Sequence, residues 1–171
     1  MQMVKKFFIL LFIAWFALLF FMPKQELYYT LEKELAQQGV EINEESINEG
    51  IFSLTINNAS VYVKGIKIAT IEKVSFFTLL FYTKAEIDNL LLDDSLKAMA
   101  PQHTDKVLLT HSLLSVRTVP IHAEGSFGVV DGYADLKARK VRLNFIETKE
   151  IDSIKSQLKK DKKGWHYETS F

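Results

Sequence analysis

The hydrophobic positions of this chain fall into three regimes. Phe7 to Met22 (FFILLFIAWFALLFFM) is a run of sixteen residues without a charge. From Glu26 to Gln38 the apolar residues recur every four positions, as Leu27, Leu31 and Leu35, with Glu26, Glu32, Lys33 and Gln37 on the wet side. That spacing predicts a helix over 26–38, closed by Gly39. From Val40 onward the period falls to two: Val40 and Ile42 against Glu41 and Asn43; Phe52, Leu54 and Ile56 against Ser53, Thr55 and Asn57. Val61 and Val63, then Ile66 and Ile68, continue it. Val74, Phe76, Phe77, Leu79 and Leu80 form a denser apolar stretch, and Glu86, Asp88 and Leu90 alternate with Ile87, Asn89 and Leu91.

Short strands separated by Asn, Gly or charged breaks predict an antiparallel meander. Asp93–Ala100 reads as a short helical or loop excursion. Strands then resume at Lys106–Thr110 and Leu113–Val119. Asp131-Gly132 is a hairpin signal, and Tyr133 to Ile146 reads as one long strand. Ile151, Ile154 and Leu158 predict a second short helix over 150–160, stopped by Gly164, before a last strand with Trp165, Tyr167 and Phe171. The predicted fold is therefore mainly β with an N-terminal transmembrane helix. Its antiparallel meander forms a curved, partly open β-sheet or half-barrel.

The first run sets the expected compartment. As a helix, sixteen residues span about 24 Å, short of the ~30 Å hydrocarbon core. Lys5 and Lys6 can snorkel and the bilayer can thin to absorb the difference. No small residues follow Ala17 where a signal peptide would be cut, and a core helix would not carry six phenylalanines around its surface. The run reads as a signal anchor. Lys5 and Lys6 before it, and Glu26, Glu32 and Glu34 after it, place the N-terminus in the cytoplasm. The expected organisation is a cytoplasmic stretch at 1–6, a transmembrane anchor at 7–22, a juxtamembrane helix at 23–39 and a periplasmic β-domain at 40–171. The expected location is a bacterial inner membrane, crossed once.

Composition narrows the function. Lys+Arg total 21 and Asp+Glu 21, so no net positive charge exists to hold nucleic acid, and direct nucleic-acid binding is not expected. With Cys 0, disulfides, thiolate nucleophiles and Cys-type zinc sites are excluded. No phosphate-binding glycine loop, nucleophile elbow or His-Glu-x-x-His motif occurs. His103, His111 and His122 would need three strands to converge on a metal. Asp93-Asp94 lacks the glycine-bearing loop of a calcium site. No catalytic, cofactor or metal residue is therefore expected, and the chain reads as non-catalytic. Two candidate contact regions remain. Lys159, Lys160, Lys162 and Lys163 form the sharpest basic cluster, which as a local patch suits anionic lipid, an acidic partner or nucleic acid, or else the solvated end of the 150–160 helix. Phe76, Leu79, Phe81, Leu113 and Val116 are candidates for an apolar groove or core.

One span, a short helix (LYYTLEKELAQQGV) and a meander of amphipathic strands make a pattern that resembles the general secretion pathway protein N family. The resembling stretches are Leu27–Asn57 and Ala123–Phe145 (AEGSFGVVDGYADLKARKVRLNF). That family is a bitopic inner-membrane component of type II secretion systems, similar in architecture to AsmA-like envelope proteins. The resemblance implies a curved, half-open sheet and carries no site residues with it. The leading expectation is a scaffold or assembly component of an envelope-spanning secretion, pilus or DNA-uptake machine, with that machinery's proteins as partners. The alternative is a lipid-binding or lipid-transfer module with an apolar β-groove. The two differ in whether the candidate apolar residues face an open cleft or a closed core.

Overall fold

The computed structural model describes residues 2–79, 81–162 and 164–171, without the side chains of residues 19 and 114. The candidate residues Leu80 and Lys163 lie outside the described residues. Two helices, α1 (Gln2–Phe21) and α2 (Lys24–Gln37), precede the strands. These are β1 (Val40–Asn43), β2 (Ser46–Glu49), β3 (Ser53–Val63), β4 (Ile66–Leu79), β5 (Tyr82–Leu92) and β6 (His103–Ser112). Then come β7 (Thr118–Gly125), β8 (Gly128–Asp135), β9 (Lys140–Thr148), β10 (Lys159–Asp161) and β11 (Gly164–Ser170).

All eleven strands join one antiparallel sheet in the order β1-β3-β4-β5-β6-β7-β8-β9-β11-β10, with β2 beside β1 on the same flank of β3. The first and last strands do not meet, so the sheet is open. This is the predicted meander.

The helix α1 extends through Lys5 and Lys6 and is apolar on every side. Its side chains from Met3 to Ile13 are exposed. Among the described residues no helix is long and apolar enough to cross a membrane. Contact with the sheet is made by Phe16, whose ring meets Phe52 edge-on at 5.8 Å. The helix α2 falls where its leucine spacing predicts, and the chain turns out of it at Gly39. Its Tyr28 is buried on Leu54, Ile56 and Ala59, with Ile42, Ile47, Ile71 and Val74 around them. Burial, and then the Glu44 carboxylate that accepts its hydroxyl proton at 3.1 Å, push the Tyr28 phenol well above its ordinary range. Tyr28 thus stays neutral, as a buried hydroxyl must.

Two asparagines adjust the facing of the long strands. Asn58 and Asn89 adopt positive φ, 51° in both, which asparagine tolerates better than most residues. Along β3 the buried positions change from Leu54 and Ile56 to Ala59, an odd step that returns the chain to the same face. The two side chains bond across the strands, Asn89 Nδ2 to Glu72 Oε2 at 2.5 Å and Asn58 Nδ2 to Glu45.

Four sequence expectations are corrected. The 150–160 helix is absent: the segment holds a single 3-10 turn at Lys155–Gln157 and then the edge strand β10. Leu113–Val119 is not one strand, since a 3-10 turn at Leu113–Ser115 precedes β7. The Tyr133–Ile146 strand is broken into β8 and β9. Its turn is capped by Asp135, whose Oδ1 accepts the backbone N–H groups of Lys137 at 2.9 Å and Ala138 at 2.7 Å. Asp131-Gly132 is not a hairpin but mid-β8. A Cβ at Gly132 would run into the Arg142 carbonyl oxygen and the Leu143 side chain, so the glycine serves close strand approach.

Candidate functional site

Strict alternation along each strand, combined with the pairing register, sorts side chains into rows that cross the sheet. On one face the register aligns Ile47, Ile56, Val74, Ile87, Val107, Ala123, Val130 and Phe145, one residue from each of eight strands. The neighbouring row on this face is Leu54, Phe76, Ala85, Leu109, Ile121, Gly132, Leu143 and Tyr167. Neither row contains a charged residue. At about 4.8 Å between strands, each spans roughly 34 Å.

Tyr28 and α2 cover the β1–β4 end of this face, where Ile71 and Val74 also pack. From β5 onward no α-helix lies over it among the described residues; Val130 on β8 is buried, as is Ile151 in the β9–β10 connection, and the other side chains of the rows are half-buried. At the covered end Met22, Lys24 and Leu27 meet Phe52, Leu54, Phe76 and Thr78 around a small apolar cavity of about 160 Å³. The cavity lies between the foot of α1 and the first residues of the apolar rows.

The opposite face is polar. Its central row runs Thr55, Ser75, Glu86, Leu108, His122, Asp131, Asn144 and His166. Hydrogen bonds from Lys106 and then Lys84 hold the Glu86 carboxyl down at about 2, against the opposing effect of burial. His122 stands between Asp131 (2.5 Å from Nδ1) and Glu124 (2.9 Å from Nε2). These two acids, Asp131 first, raise its pKa. A folded value above the ordinary 6.5 means that this cluster's contribution is complete below 6.5 and fades as pH rises through the folded value. Urea midpoints measured from about pH 5 to about pH 9 should therefore decline on the alkaline side, and His122→Gln should flatten that decline.

A hollow of about 860 Å³ also opens on the polar face, lined by Tyr133, Arg142, Asn144, Phe145, Ile146, Asp161 and Lys162. Its Arg142 is already engaged, by Asp161 at 2.9 Å and by Asn144 at 3.1 Å. No group of three or more metal-ligating side chains occurs among the described residues. His103 and His111 sit at opposite ends of β6, and His103 pairs with Asp105 at 2.6 Å.

The five candidate apolar residues separate. Phe76 lies in an apolar row and lines the cavity. Leu79 has the parity of the polar face, at the end of β4. Phe81, Leu113 and Val116 stand exposed in hairpin connections. None of the five is fully buried. Lys159 and Lys160 lie on edge strand β10 rather than on a helix, and Lys162 follows in the turn. Lys160 sits over the Trp165 ring at 5.4 Å. Sequence reasoning did not single out Val107, Leu109 or Ile121, which make the middle of the rows. Their alternation was visible; the register that aligns them was not.

No protein-family model, curated protein or solved structure matches the chain.

Proposed function

We propose that this chain is a membrane-tethered, non-catalytic protein that holds acyl chains along the apolar face of its sheet. One observation carries the reading: two charge-free rows cross eight strands, have no α-helix over them beyond β4 among the described residues, stay half-buried from β5 to β7, and begin at a cavity beside the foot of α1. A broad apolar surface left half-buried, with no layer packed on it between β5 and β7, is a place where an apolar ligand gains by burial. An elongated face without charges or convergent polar groups suits a hydrocarbon chain better than a polar metabolite. In this reading α1 is the anchor. Lys5 and Lys6 snorkel at one end to bring its shorter uncharged stretch into the bilayer.

The test is the lipid content of the full chain extracted in detergent and purified. Mass spectrometry should find phospholipid or another diacyl lipid retained at near one per chain. Lipid-free protein would instead favour a scaffold in an envelope machine. The open edges of the sheet, β1 with β2 on one side and β10 on the other, support that second reading, because free edges pair with partner strands.

A further inference from the structure

The meander sends alternate hairpins to opposite ends of the sheet, and the two ends differ in chemistry. One end gathers Phe52, the β4–β5 turn, the β6–β7 connection, the β8–β9 turn and Phe171. Backbone hydrogen bonds link these tips in sequence: Thr78 N–H to Phe52 O (2.8 Å), Leu113 N–H to Phe81 O (3.0 Å), Leu136 N–H to Arg117 O (2.8 Å) and Phe171 N–H to Arg139 O (3.0 Å). The tips carry uncovered apolar side chains: Phe81 is 56% exposed, Val116 57% and Phe171 63%, with Leu113 and Leu136 similar.

Arg117, Lys137, Arg139 and Lys140 stand exposed among them. The acids nearby are engaged, Asp135 with the backbone of its own turn and Glu168 with Lys140 at 3.8 Å. The turns at the other end carry acidic and polar residues, Asp93, Asp94, Gln102, Ser126 and Glu150, with few cations beside them, and their exposed apolar residues, Ile66, Leu91, Met99 and Ile146, are scattered over separate strand ends. The helix α1 contacts the sheet at the first end, through Phe16 on Phe52.

We propose that this row of tips is a membrane-docking edge, seated at headgroup depth in an anionic bilayer beside α1. Exposed apolar tips interleaved with arginine and lysine have the composition of an interfacial anchor: the apolar groups enter the acyl boundary and the cations meet anionic headgroups. The occupant is the bilayer because the apolar helix meets the sheet at this same end. Docking stands the strands upright on the membrane and sets the Met22–Phe52–Phe76 cavity at the lipid surface. The inference rests on α1 residing in the bilayer, and the experiment reads that separately.

The chain has no cysteine, so single fluorophores can be placed on the full-length protein by Val116→Cys, Leu136→Cys, Met99→Cys at the far end, and Ala14→Cys in α1. Each variant is reconstituted, one copy per nanodisc, in phosphatidylcholine with or without phosphatidylglycerol. Headgroup nitroxide lipid should quench positions 116 and 136 several-fold more than 99, and more strongly with phosphatidylglycerol. Replacing Arg117, Lys137, Arg139 and Lys140 together by glutamine should remove the phosphatidylglycerol dependence. Acyl-chain nitroxide should quench position 14 throughout. Quenching at 14 with 116 and 136 no different from 99 overturns docking and leaves the tether standing. Absence of quenching at 14 overturns both. Shielding of 116 and 136 only when two copies share a disc assigns the edge to self-association and overturns docking.

Discussion

Leu109→Asp should reduce the lipid retained per chain by at least about tenfold, the equivalent of about 1.4 kcal/mol, whereas Leu108→Asp should leave it unchanged. The two positions are adjacent in sequence and lie on opposite faces of β6. Leu109 sits mid-row between Ala85 and Ile121. Leu108 sits between Glu86 and His122. A carboxylate in the apolar row must either remain hydrated, which bars an acyl chain from its path, or take up a proton at a raised pKa; either costs more than the tenfold change requires. On the polar face the same carboxylate stays in water. Lipid mass spectrometry of the purified variants reads the difference, with circular dichroism to establish that both fold. Equal loss in both, or loss in neither, would contradict the assignment of faces.

Gly128→Val should destabilise the fold by about 2–6 kcal/mol, from roughly 1–3 kcal/mol of backbone strain and a comparable overpacking cost. Gly128 is buried at the β7–β8 hairpin with φ of 102°, and a Cβ there would run into the Glu147 carbonyl of β9. Gly65 is the control: its φ is 79°, and a Cβ there has nothing within 4 Å. Gly65→Ala therefore carries only the strain of an exposed turn. Urea unfolding should show a midpoint drop of at least about 0.7 M for Gly128→Val, given slopes of about 1–3 kcal/mol per M, and a much smaller one for Gly65→Ala. An unchanged midpoint for Gly128→Val would mean that β8 and β9 do not approach as described.

Much of this architecture follows from local sequence. The leucine spacing of α2 and the two-residue alternation of β1, of β3 as far as Asn57 and of β5 as far as Asp88 are nearest-neighbour signals, and they survive in the structure; Asn89 then turns Leu90 to the other face from Asp88. The failures share a cause. Ile151, Ile154 and Leu158 have helical spacing, but they lie in a segment that returns the chain to pair β10 with β11, so tertiary pairing overrode a weak local period. Asp131-Gly132 looks like a turn when read locally; its glycine is fixed instead by the neighbouring β9 backbone. The apolar face was hidden for the same reason. Phe76, Phe81, Leu113 and Val116 attract notice because they are large and clustered. The face is built from modest residues such as Val107, Ala123 and Val130, which become a surface only when seven strand pairings align them.

The central claim is that this face meets lipid. A photoreactive side chain at Ile87, in the middle of a row and beyond the cover of α2, tests it in full-length protein within its native membrane. Irradiation should yield covalent adducts with lipid acyl chains, and the same group at Glu86, on the opposite face, should yield none. Adducts at Ile87 that are exclusively with protein would contradict the account.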